Sequence, residues 1–296
     1  LQDVQIKECR GSFKPFNDTL TFAANELPPA SFTKFVSQRI DTVLTEVILP
    51  VSLTSIGQSA FIHCSMLQKI HISSLVSAIG DAAFYGTRVV PEIDPLNEYF
   101  TMAEGMLMDK SKTRVLYCPV SRRGGVVVPE GVTEIKPMAF SGCDSIDALV
   151  LPSTLAVAGY NAFEKCTGLV ALELNTQPDV FGNYPSQFGG VTVSKIHLTV
   201  PYGMRTLYNS KAFWKGFSTI TERTDGILVQ PSDLKFTYEI SGKSLVINAS
   251  APWSALAGQS WLKLSKTSGM GGNDTVRVEV EQNTGRTARS ETVYFS

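Results

Sequence analysis

A single apolar phrase returns along this chain at a step of 23 residues. It consists of an aliphatic strand pattern, a turn and an Ala-Phe pair, and the pair recurs as Ala60-Phe61, Ala83-Phe84, Ala139-Phe140 and Ala162-Phe163. An aliphatic or Leu-Pro junction marks the phase of each unit, and it falls at Leu49, Ile72, Pro95, Val128, Leu151, Leu174 and Val200. The pattern predicts a fold made by stacking similar units, each of which contacts only its neighbours.

The period, together with leucine-like residues at i, i+3 and i+5, is typical of a leucine-rich-repeat solenoid. A solenoid presents a long exposed sheet and has no central pocket, which favours a binding surface over an enzyme active site. The predicted fold class is therefore mainly β with short helical or 3-10 turns.

The spacing of the phase markers reveals one insertion. The steps are 23, 23, 33, 23, 23 and 26 residues, so one unit carries about ten extra residues. Residues 99–108 and 113–117 read as strands around the polar turn 109–112, and the segment 97–120 predicts a β-hairpin that projects from the solenoid. We expect the solenoid to span 44–224, with a degenerate cap at 1–43 and an aromatic closing cap at about 200–222.

Strand alternation separates the inward from the outward side chains of each unit. The inward set includes Phe61, Phe84, Phe140, Phe163 and Phe213, which we expect to stack as an aromatic ladder. One outward column begins Glu46, Lys69, Glu92, and its neighbour begins Ile48, His71, Asp94. The candidate binding face comprises Glu46, Ile48, Lys69, His71, Glu92, Asp94, Val127, Val150 and Glu173.

Two interpretations of the apolar part of this face, Val127 and Val150, stay open. They could form a contact site, because exposed apolar patches mark interaction surfaces. Alternatively, β-branched residues simply suit a sheet, and the predicted hairpin covers them.

The cysteines also follow the repeat. Cys64, Cys143 and Cys166 occupy the same slot, which predicts buried free thiols, because Cys is among the most often buried residue types. A disulfide between Cys143 and Cys166 is the alternative, although it would distort a parallel ladder. No Cys/His spacing predicts a zinc site, and we expect neither a metal nor a cofactor.

The pattern changes near Thr224-Asp225-Gly226, which predicts a linker before a second domain at 226–296. Five short alternating segments separated by Gly, Ser and Asn predict a small immunoglobulin-like β-sandwich. They are residues 234–238, 244–249, 261–264, 275–280 and 292–295.

Composition and motifs exclude several functions. The net charge of −1 and the absence of a basic cluster argue against nucleic acid as a partner, and no apolar run approaches the ~20 residues that cross a bilayer. No signal peptide is visible in this chain. The chain carries no nucleophile elbow, no His-Glu-x-x-His and no dinucleotide fingerprint, so we expect a protein that is not an enzyme.

The phrase Leu-x-x-Ile-x-Leu-Pro-x-x-Leu-x-x-Ile-x-x-x-Ala-Phe-x-x-Cys, found over about 44–222, resembles the BspA-type leucine-rich repeat of bacterial surface proteins. The segments Gly105-Met106-Leu107 and Val200-Pro201 also resemble features of that family. The second domain resembles the BACON module through Ala251-Pro252-Trp253, Trp261-Leu262-Lys263-Leu264-Ser265 and Arg289-Ser290, without the strand that usually ends that module.

The two resemblances imply a secreted or surface-anchored protein of a Bacteroidetes-like bacterium, with roles in adhesion to proteins, cells or glycans. The BACON name implies carbohydrate binding. The glycan-stacking candidates are the indoles Trp253 and Trp261 and the hairpin tyrosines Tyr99 and Tyr117, with core packing or hairpin closure as the alternative role.

These observations favour a binding or adhesion protein that contacts a protein or glycan partner through the exposed solenoid sheet. A glycan-binding accessory protein acting through the sandwich, and a structural spacer, are the alternatives. The oligomeric state is not determined by the sequence.

Overall fold

The computed structural model describes residues 19–21, 26–27, 29–30, 46–176, 178–181, 185–231, 233–237, 241–285 and 287–296. Its first strands are β1 (Thr19–Thr21), β2 (Glu26–Leu27), β3 (Glu46–Ile48), β4 (Ser55–Ile56), β5 (Lys69–Ile72), β6 (Ala78–Ile79) and β7 (Glu92–Ile93). The next are β8 (Phe100–Ala103), β9 (Met106–Asp109), β10 (Arg114–Tyr117), β11 (Gly124–Val127), β12 (Glu134–Ile135), β13 (Ile146–Leu151), β14 (Val157–Ala158) and β15 (Ala171–Leu174).

The remaining strands are β16 (His197–Val200), β17 (Thr219–Glu222), β18 (Ile227–Gln230), β19 (Ser241–Ala249), β20 (Trp253–Leu256), β21 (Leu262–Leu264), β22 (Ser268–Gly269), β23 (Gly272–Val280) and β24 (Tyr294–Phe295). Among the described residues an α-helix, α1, spans Arg205–Ser210, and short 3-10 turns span Pro178–Phe181, Pro185–Phe188, Val193–Lys195 and Trp214–Gly216. The prediction of a mainly β fold with short helical turns is confirmed.

The chain divides into two compact units. The first runs to Leu198 and includes Gly216–Thr219, and the second holds Thr199–Lys215 and Ile220–Ser296. The domain limits that the sequence suggested, including the cap at 1–43, stay a prediction. Most of that cap lies outside the described residues, although β1 and β2 pair in parallel with β3 and β4.

The first unit contains two series of sheets. The face sheets are ordered β1-β3-β5-β7 and, after a break, β11-β13-β15 with the beginnings of β16 and β17. The back sheets are β2-β4-β6, which is parallel, and β14-β12-β10-β9-β8, which is parallel from β14 to β10 and antiparallel from β10 to β8. Alternation is strict where a strand is long enough to show it: in β5, Ile70 and Ile72 are buried while Lys69 and His71 are exposed.

The register of the face sheets departs from the predicted columns at one place. Glu46 pairs with Lys69, as the 23-residue step requires, but Glu92 pairs with His71. Glu92 therefore does not continue the column of Glu46 and Lys69, and the step there is 21 residues. The loop before β7 accounts for this shift in register, because it is two residues shorter than the 23-residue period requires.

The inserted segment forms the predicted β-hairpin, because β9 and β10 pair antiparallel around the turn 109–112. The hairpin does not project as predicted, since β10 also pairs with β12 and the segment is built into the back sheet. What reads as one strand over 99–108 is two strands, β8 and β9, joined at Glu104-Gly105. β10 then pairs antiparallel with β9 and parallel with β12, so the insertion extends the ladder of short strands. All four residues of β9 are buried because the strand packs into the core of the unit.

Two buried polar side chains fix the insertion. Asn97 donates from Nδ2 to the carbonyls of Ser73 and Val76 and accepts from the amides of Tyr99 and Phe100. Every hydrogen-bonding direction of the amide is used, which is what a buried Asn needs.

Asp109 holds the turn between β9 and β10. Its carboxylate accepts from the backbone amides of Thr113 and Arg114, the hydroxyls of Ser111 and Thr113, and Arg114 Nε at 3.0 Å. Burial by itself would raise the pKa of this carboxyl, but the hydrogen bonds from Arg114, Thr113 and Ser111 outweigh it and hold the pKa below its ordinary value.

The core of the first unit follows the predicted aromatic ladder with two changes. Phe61 stacks on Phe84 at 5.6 Å between ring centroids, and Phe140 stacks on Phe163 at 5.5 Å. Tyr117 continues the first pair, and Phe188 continues the second at 5.3 Å. The predicted member Phe213 is instead half-buried and packs edge-on against Trp214 in the second unit.

The thiols lie in the core as free cysteines. Cys64, Cys118, Cys143 and Cys166 are buried and unpaired with one another by disulfides, so the alternative of a Cys143–Cys166 bridge is wrong. Cys143 Sγ donates to the Cys118 carbonyl at 3.5 Å, and Cys166 Sγ donates to the Phe140 carbonyl at 3.1 Å. The Cys143 and Cys166 thiols thereby each donate to a carbonyl of the preceding repeat.

The second unit begins with a segment rich in aromatic residues, and two antiparallel sheets follow it in sequence. Trp214 and Tyr208, both buried, pack at 5.2 Å near α1. The sheets are ordered β18-β19-β23-β21 and β22-β20-β24, and their shared core contains Ile247, Val276 and Trp253. Residues 233–237 are not a strand, which corrects that part of the prediction, and the prediction also missed β18 and β20.

Candidate binding surface

The predicted binding residues lie on the outward sides of the two face sheets of the first unit, which together we call the open face. Lys69, His71, Glu92 and Val127 are exposed, and Glu46, Asp94, Val150 and Glu173 are half-buried. Ile48 lies in β3, but its side chain is outside the part of the molecule that is described. The open face is exposed to solvent because side chains along each strand point alternately into the core and away from it. The back sheets lie on the opposite side of the core.

The end of the open face near β5 and β7 is charged. His71 pairs with Glu92 across the sheet, and His71 Nε2 lies 3.9 Å from Asp94 Oδ2. Asp94 Oδ1 also accepts from the Leu96 amide, which fixes its position. Exposed pairs of this kind contribute only about 0–1 kcal/mol to stability, so their side chains can exchange one partner for another at little cost.

The other end of the open face is aliphatic. Val127 is 60% exposed, and it pairs with Val150 on β13. The inserted strands belong to the back sheet, so the interpretation in which a hairpin covers Val127 is wrong. The interpretation of Val127 and Val150 as a contact site remains a hypothesis.

Two of the four glycan-stacking candidates are core residues. Trp253 is 3% exposed and packs in the core of the second unit against Phe295. Tyr117 is 5% exposed, lies against Phe84, and donates its hydroxyl to the Val89 carbonyl. Neither ring offers a face to a sugar, because the side chains fill the space between sheets that would otherwise be empty.

The other two candidates are accessible. Tyr99 is 48% exposed at the start of the insertion. Trp261 is half-buried, and the Arg289 guanidinium lies 4.5 Å from its ring centroid, a cation–π arrangement that covers one indole face. Stacking by these two residues stays a prediction.

The structure gathers no catalytic or metal-binding cluster within the residues that it describes. His63 packs against Tyr85, His71 lies beside Asp94, and His197 lies beside Thr219, so the three histidines stand apart. No group of three His, Cys, Asp or Glu side chains in the described ranges could hold a metal ion. In the same ranges, no helix is both long and apolar enough to cross a membrane.

The sequence analysis missed one feature of this unit. Arg122 and Arg123 read as part of a simple turn, and Arg122 does close a turn by donating its amide to the Pro119 carbonyl at 2.9 Å. The same two side chains also line a cavity next to the insertion. No signal in the sequence brings Arg122 close to Gly105, since their proximity depends on how β9 and β10 pair.

A solenoid of short strands followed in sequence by a small antiparallel domain defines the class of repeat proteins. Residues 40–122 and 121–215 match the model of the BspA-type leucine-rich repeat region, with six copies in all. The chain belongs to the BspA-type leucine-rich repeat family. Residues 251–296 match the BACON model, described as a putative binding domain.

Three solved structures illustrate the similarity. A leucine-rich cell surface protein from Faecalibacterium prausnitzii A2-165 is 18% identical with a TM-score of 0.48, over 69% of this chain and 59% of that one. The pneumococcal vaccine antigen PcpA is 16% identical with a TM-score of 0.36, over 61% and 68%. A leucine-rich repeat protein from Eubacterium ventriosum is 15% identical with a TM-score of 0.31, over 71% and 82%. This chain thus spans about three fifths of the first of them, and no curated protein matches it by sequence.

Both families are non-catalytic binding domains. The recognition of a BspA-type solenoid followed by a BACON module is confirmed. Carbohydrate binding and a Bacteroidetes source stay predictions.

Proposed function

We propose that this chain is a non-enzymatic, extracellular or cell-surface protein that binds a macromolecular partner through the open face. The observation that carries the proposal is the exposure of Lys69, His71, Glu92 and Val127 on the face sheets of the first unit. The two binding families to which the chain is similar support a role in adhesion.

The open face combines two kinds of contact. Its charged end offers Lys69 and His71 beside Glu92 and Asp94, and its aliphatic end offers Val127, which is 60% exposed. Protein interfaces commonly place an apolar core beside a polar rim. A partner that matches both ends would be held by contacts spread over several repeats, as solenoids bind their ligands.

The proposal is tested with four single variants of the full chain. Purified protein is applied to arrays of immobilised host surface proteins and of glycans, and the dissociation constant is measured for each surface that binds. We expect Lys69→Glu and Val127→Asp to weaken binding about tenfold or more, because charged and apolar complementarity are each lost. The matched control is Lys112→Glu, an exposed lysine in the turn between β9 and β10.

If Lys69→Glu and Val127→Asp bind like the unchanged chain, the open face is not the binding site. Unchanged binding by every open-face variant would favour a structural spacer. Binding that is lost only in Trp261→Ala would favour a glycan-binding protein acting through the second unit, since Trp261 is the half-exposed indole there.

A further inference from the structure

A cavity of about 360 Å³ lies beside the insertion in the first unit. Two turns border it: the Glu104-Gly105 turn between β8 and β9, and the turn that Arg122 closes on Pro119. Aliphatic and sulfur-containing walls are supplied by Val90, Met102 and Pro119, and the polar lining by Ser121, Arg122 and Arg123. This volume falls in the range of sites that hold small ligands or single side chains.

The charge in this cavity is not neutralised by the protein. Arg122 Nε is buried and has no hydrogen-bond partner, and neither Arg122 nor Arg123 forms an ion pair with any residue that the structure describes. The acidic residue next to the cavity in sequence, Glu104, is exposed and forms no ion pair within the described ranges either. Arg122 is half-buried and Arg123 is exposed. A guanidinium that loses part of its hydration is normally paired, because an unpaired charge is costly to bury.

The Arg122 guanidinium lies against Gly105. Gly105 has φ of +73°, and a Cβ atom built on it would lie 2.8 Å from Arg122 Nη1. A glycine therefore serves two purposes here: it allows the left-handed turn, and it leaves room for the guanidinium.

We propose that this cavity binds the carboxylate of an acidic side chain presented by a polypeptide partner. The fork of the guanidinium matches a carboxylate and can donate two parallel hydrogen bonds through its outer nitrogens, with Arg123 supplying further positive charge. Ser121 adds a hydroxyl donor at the same wall.

The lining favours a peptide over an acidic sugar. Among the described residues, no aromatic ring borders the cavity, and sugar rings are commonly held by stacking on such rings. Val90, Met102 and Pro119 instead suit an aliphatic neighbour of the acidic residue. The inference rests on the proposed function in one respect, since it names the chemistry of a protein partner.

The test uses the full chain and the blocked peptide Ac-Leu-Glu-Leu-NH2, with its Gln counterpart and with free galacturonic acid as probes. Binding is followed by the NMR resonance of the Arg122 Nε–Hε group and by titration to about 10 mM. We expect the Glu peptide to shift that resonance and to bind about tenfold more tightly than the Gln peptide, which corresponds to about 1.4 kcal/mol.

Arg122→Lys keeps the charge and removes the fork, so we expect it to lose about tenfold in affinity for the Glu peptide. The control is Arg88→Lys, an exposed arginine outside the cavity lining, which should bind like the unchanged chain. Should Arg122→Lys fail to fold by circular dichroism, the comparison of the two peptides on the unchanged chain decides the question.

Equal binding of the Glu and Gln peptides, no binding of either, or an unchanged affinity in a folded Arg122→Lys protein would each overturn the proposal. Binding of galacturonic acid without binding of the Glu peptide would overturn it in favour of an acidic sugar. Lys69→Glu and Val127→Asp leave the cavity lining intact, so failure of the cavity and failure of the open face are recorded separately.

Discussion

Asn97 Nδ2 lies 2.8 Å from the Ser73 carbonyl, and this bond ties the start of the insertion to the turn of the repeat before it. The Asn97 side chain also donates to the Val76 carbonyl and accepts from the amides of Tyr99 and Phe100, so it forms hydrogen bonds with four backbone groups. The insertion can therefore depart from the repeat without leaving buried backbone groups unpaired.

Removal of this amide should destabilise the first unit. We expect Asn97→Ala to lower the free energy of unfolding by about 3 kcal/mol, because several buried backbone groups lose their partners together. Urea denaturation measures the change. The control is Glu98→Ala, an exposed neighbour that should change stability by less than about 0.5 kcal/mol. An effect of Asn97→Ala no larger than the control would show that water replaces the amide.

The aromatic ladder gives a second prediction. Phe84 is 1% exposed and lies between Phe61 and Tyr117, so Phe84→Ala should lower stability by about 3–5 kcal/mol through lost burial and a cavity. Tyr117→Phe keeps the ring and removes only the hydroxyl that donates to Val89, so we expect a loss of about 1 kcal/mol. Denaturation midpoints of the two variants compare them directly, and equal losses would contradict the ladder.

Successive repeats pack closely at Gly159. A Cβ on this residue would lie 2.4 Å from the Pro137 nitrogen, which is backbone and cannot rotate away. Gly159→Ala should therefore cost about 2 kcal/mol or more, since overpacking forces the backbone to shift. Gly125→Ala is the matched control, because its Cβ would meet only Ala148 Cβ at 3.8 Å. Thermal unfolding of the two variants should separate them clearly.

Asp109 should make the free energy of unfolding depend on pH in the acidic range. Its pKa in the folded protein lies below the ordinary value, because hydrogen bonds from Arg114, Thr113 and Ser111 outweigh the effect of burial. The stabilisation is complete above the ordinary carboxyl pKa of about 4 and is lost as the pH falls through the lower folded pKa. Asp109→Asn should cost about 2 kcal/mol at pH 7.

The difference between Asp109→Asn and the unchanged chain should then narrow as the pH falls below about 4. Urea denaturation at pH 7, 5, 4 and 3 measures it. Asp147→Asn, at an exposed position on β13, provides the control. A difference that stays constant down to pH 3 would rule out a lowered pKa for Asp109.

The core thiols should resist alkylation in the folded state. Burial raises the pKa of Cys166 to about 12, and hydrogen bonding with Cys118 followed by burial raises the pKa of Cys143. At pH 8 only about one Cys166 in ten thousand would be a thiolate, and the reagent has no path to it. Iodoacetamide followed by peptide mass spectrometry should find both residues unmodified until urea unfolds the chain. Rapid native labelling would contradict the buried position.

The repeat units could be predicted from sequence because each unit carries its own complete pattern. The positions of Phe61, Phe84, Phe140 and Phe163 are set by local spacing, and stacking follows once the units are adjacent. The burial of Cys64, Cys143 and Cys166 was predicted because these residues occupy the same position in the repeat. Prediction failed where a residue's role depends on a different unit, as it does for Phe213, whose place in the ladder is taken by Phe188.

The candidate binding surface shows the same division. Alternation correctly placed Lys69, His71 and Val127 on the outside, because the side chains of a strand alternate without reference to the rest of the fold. Alternation could not reveal that Glu92 pairs with His71, since the register depends on the loop before β7. It also could not show that Tyr117 and Trp253 are core residues, because an aromatic side chain suits both a core and a sugar site.

The 23-residue pattern by itself determined a stack of repeats with aliphatic and aromatic residues inside and one face outside, since hydrophobic periodicity acts within each unit. Tertiary structure decided what the insertion became. Once β10 paired with β12, the inserted strands joined the back sheet, the open face stayed uncovered, and Arg122 came to rest against Gly105. The physical reason is that strand pairing joins residues that are distant in sequence, so no local pattern encodes it.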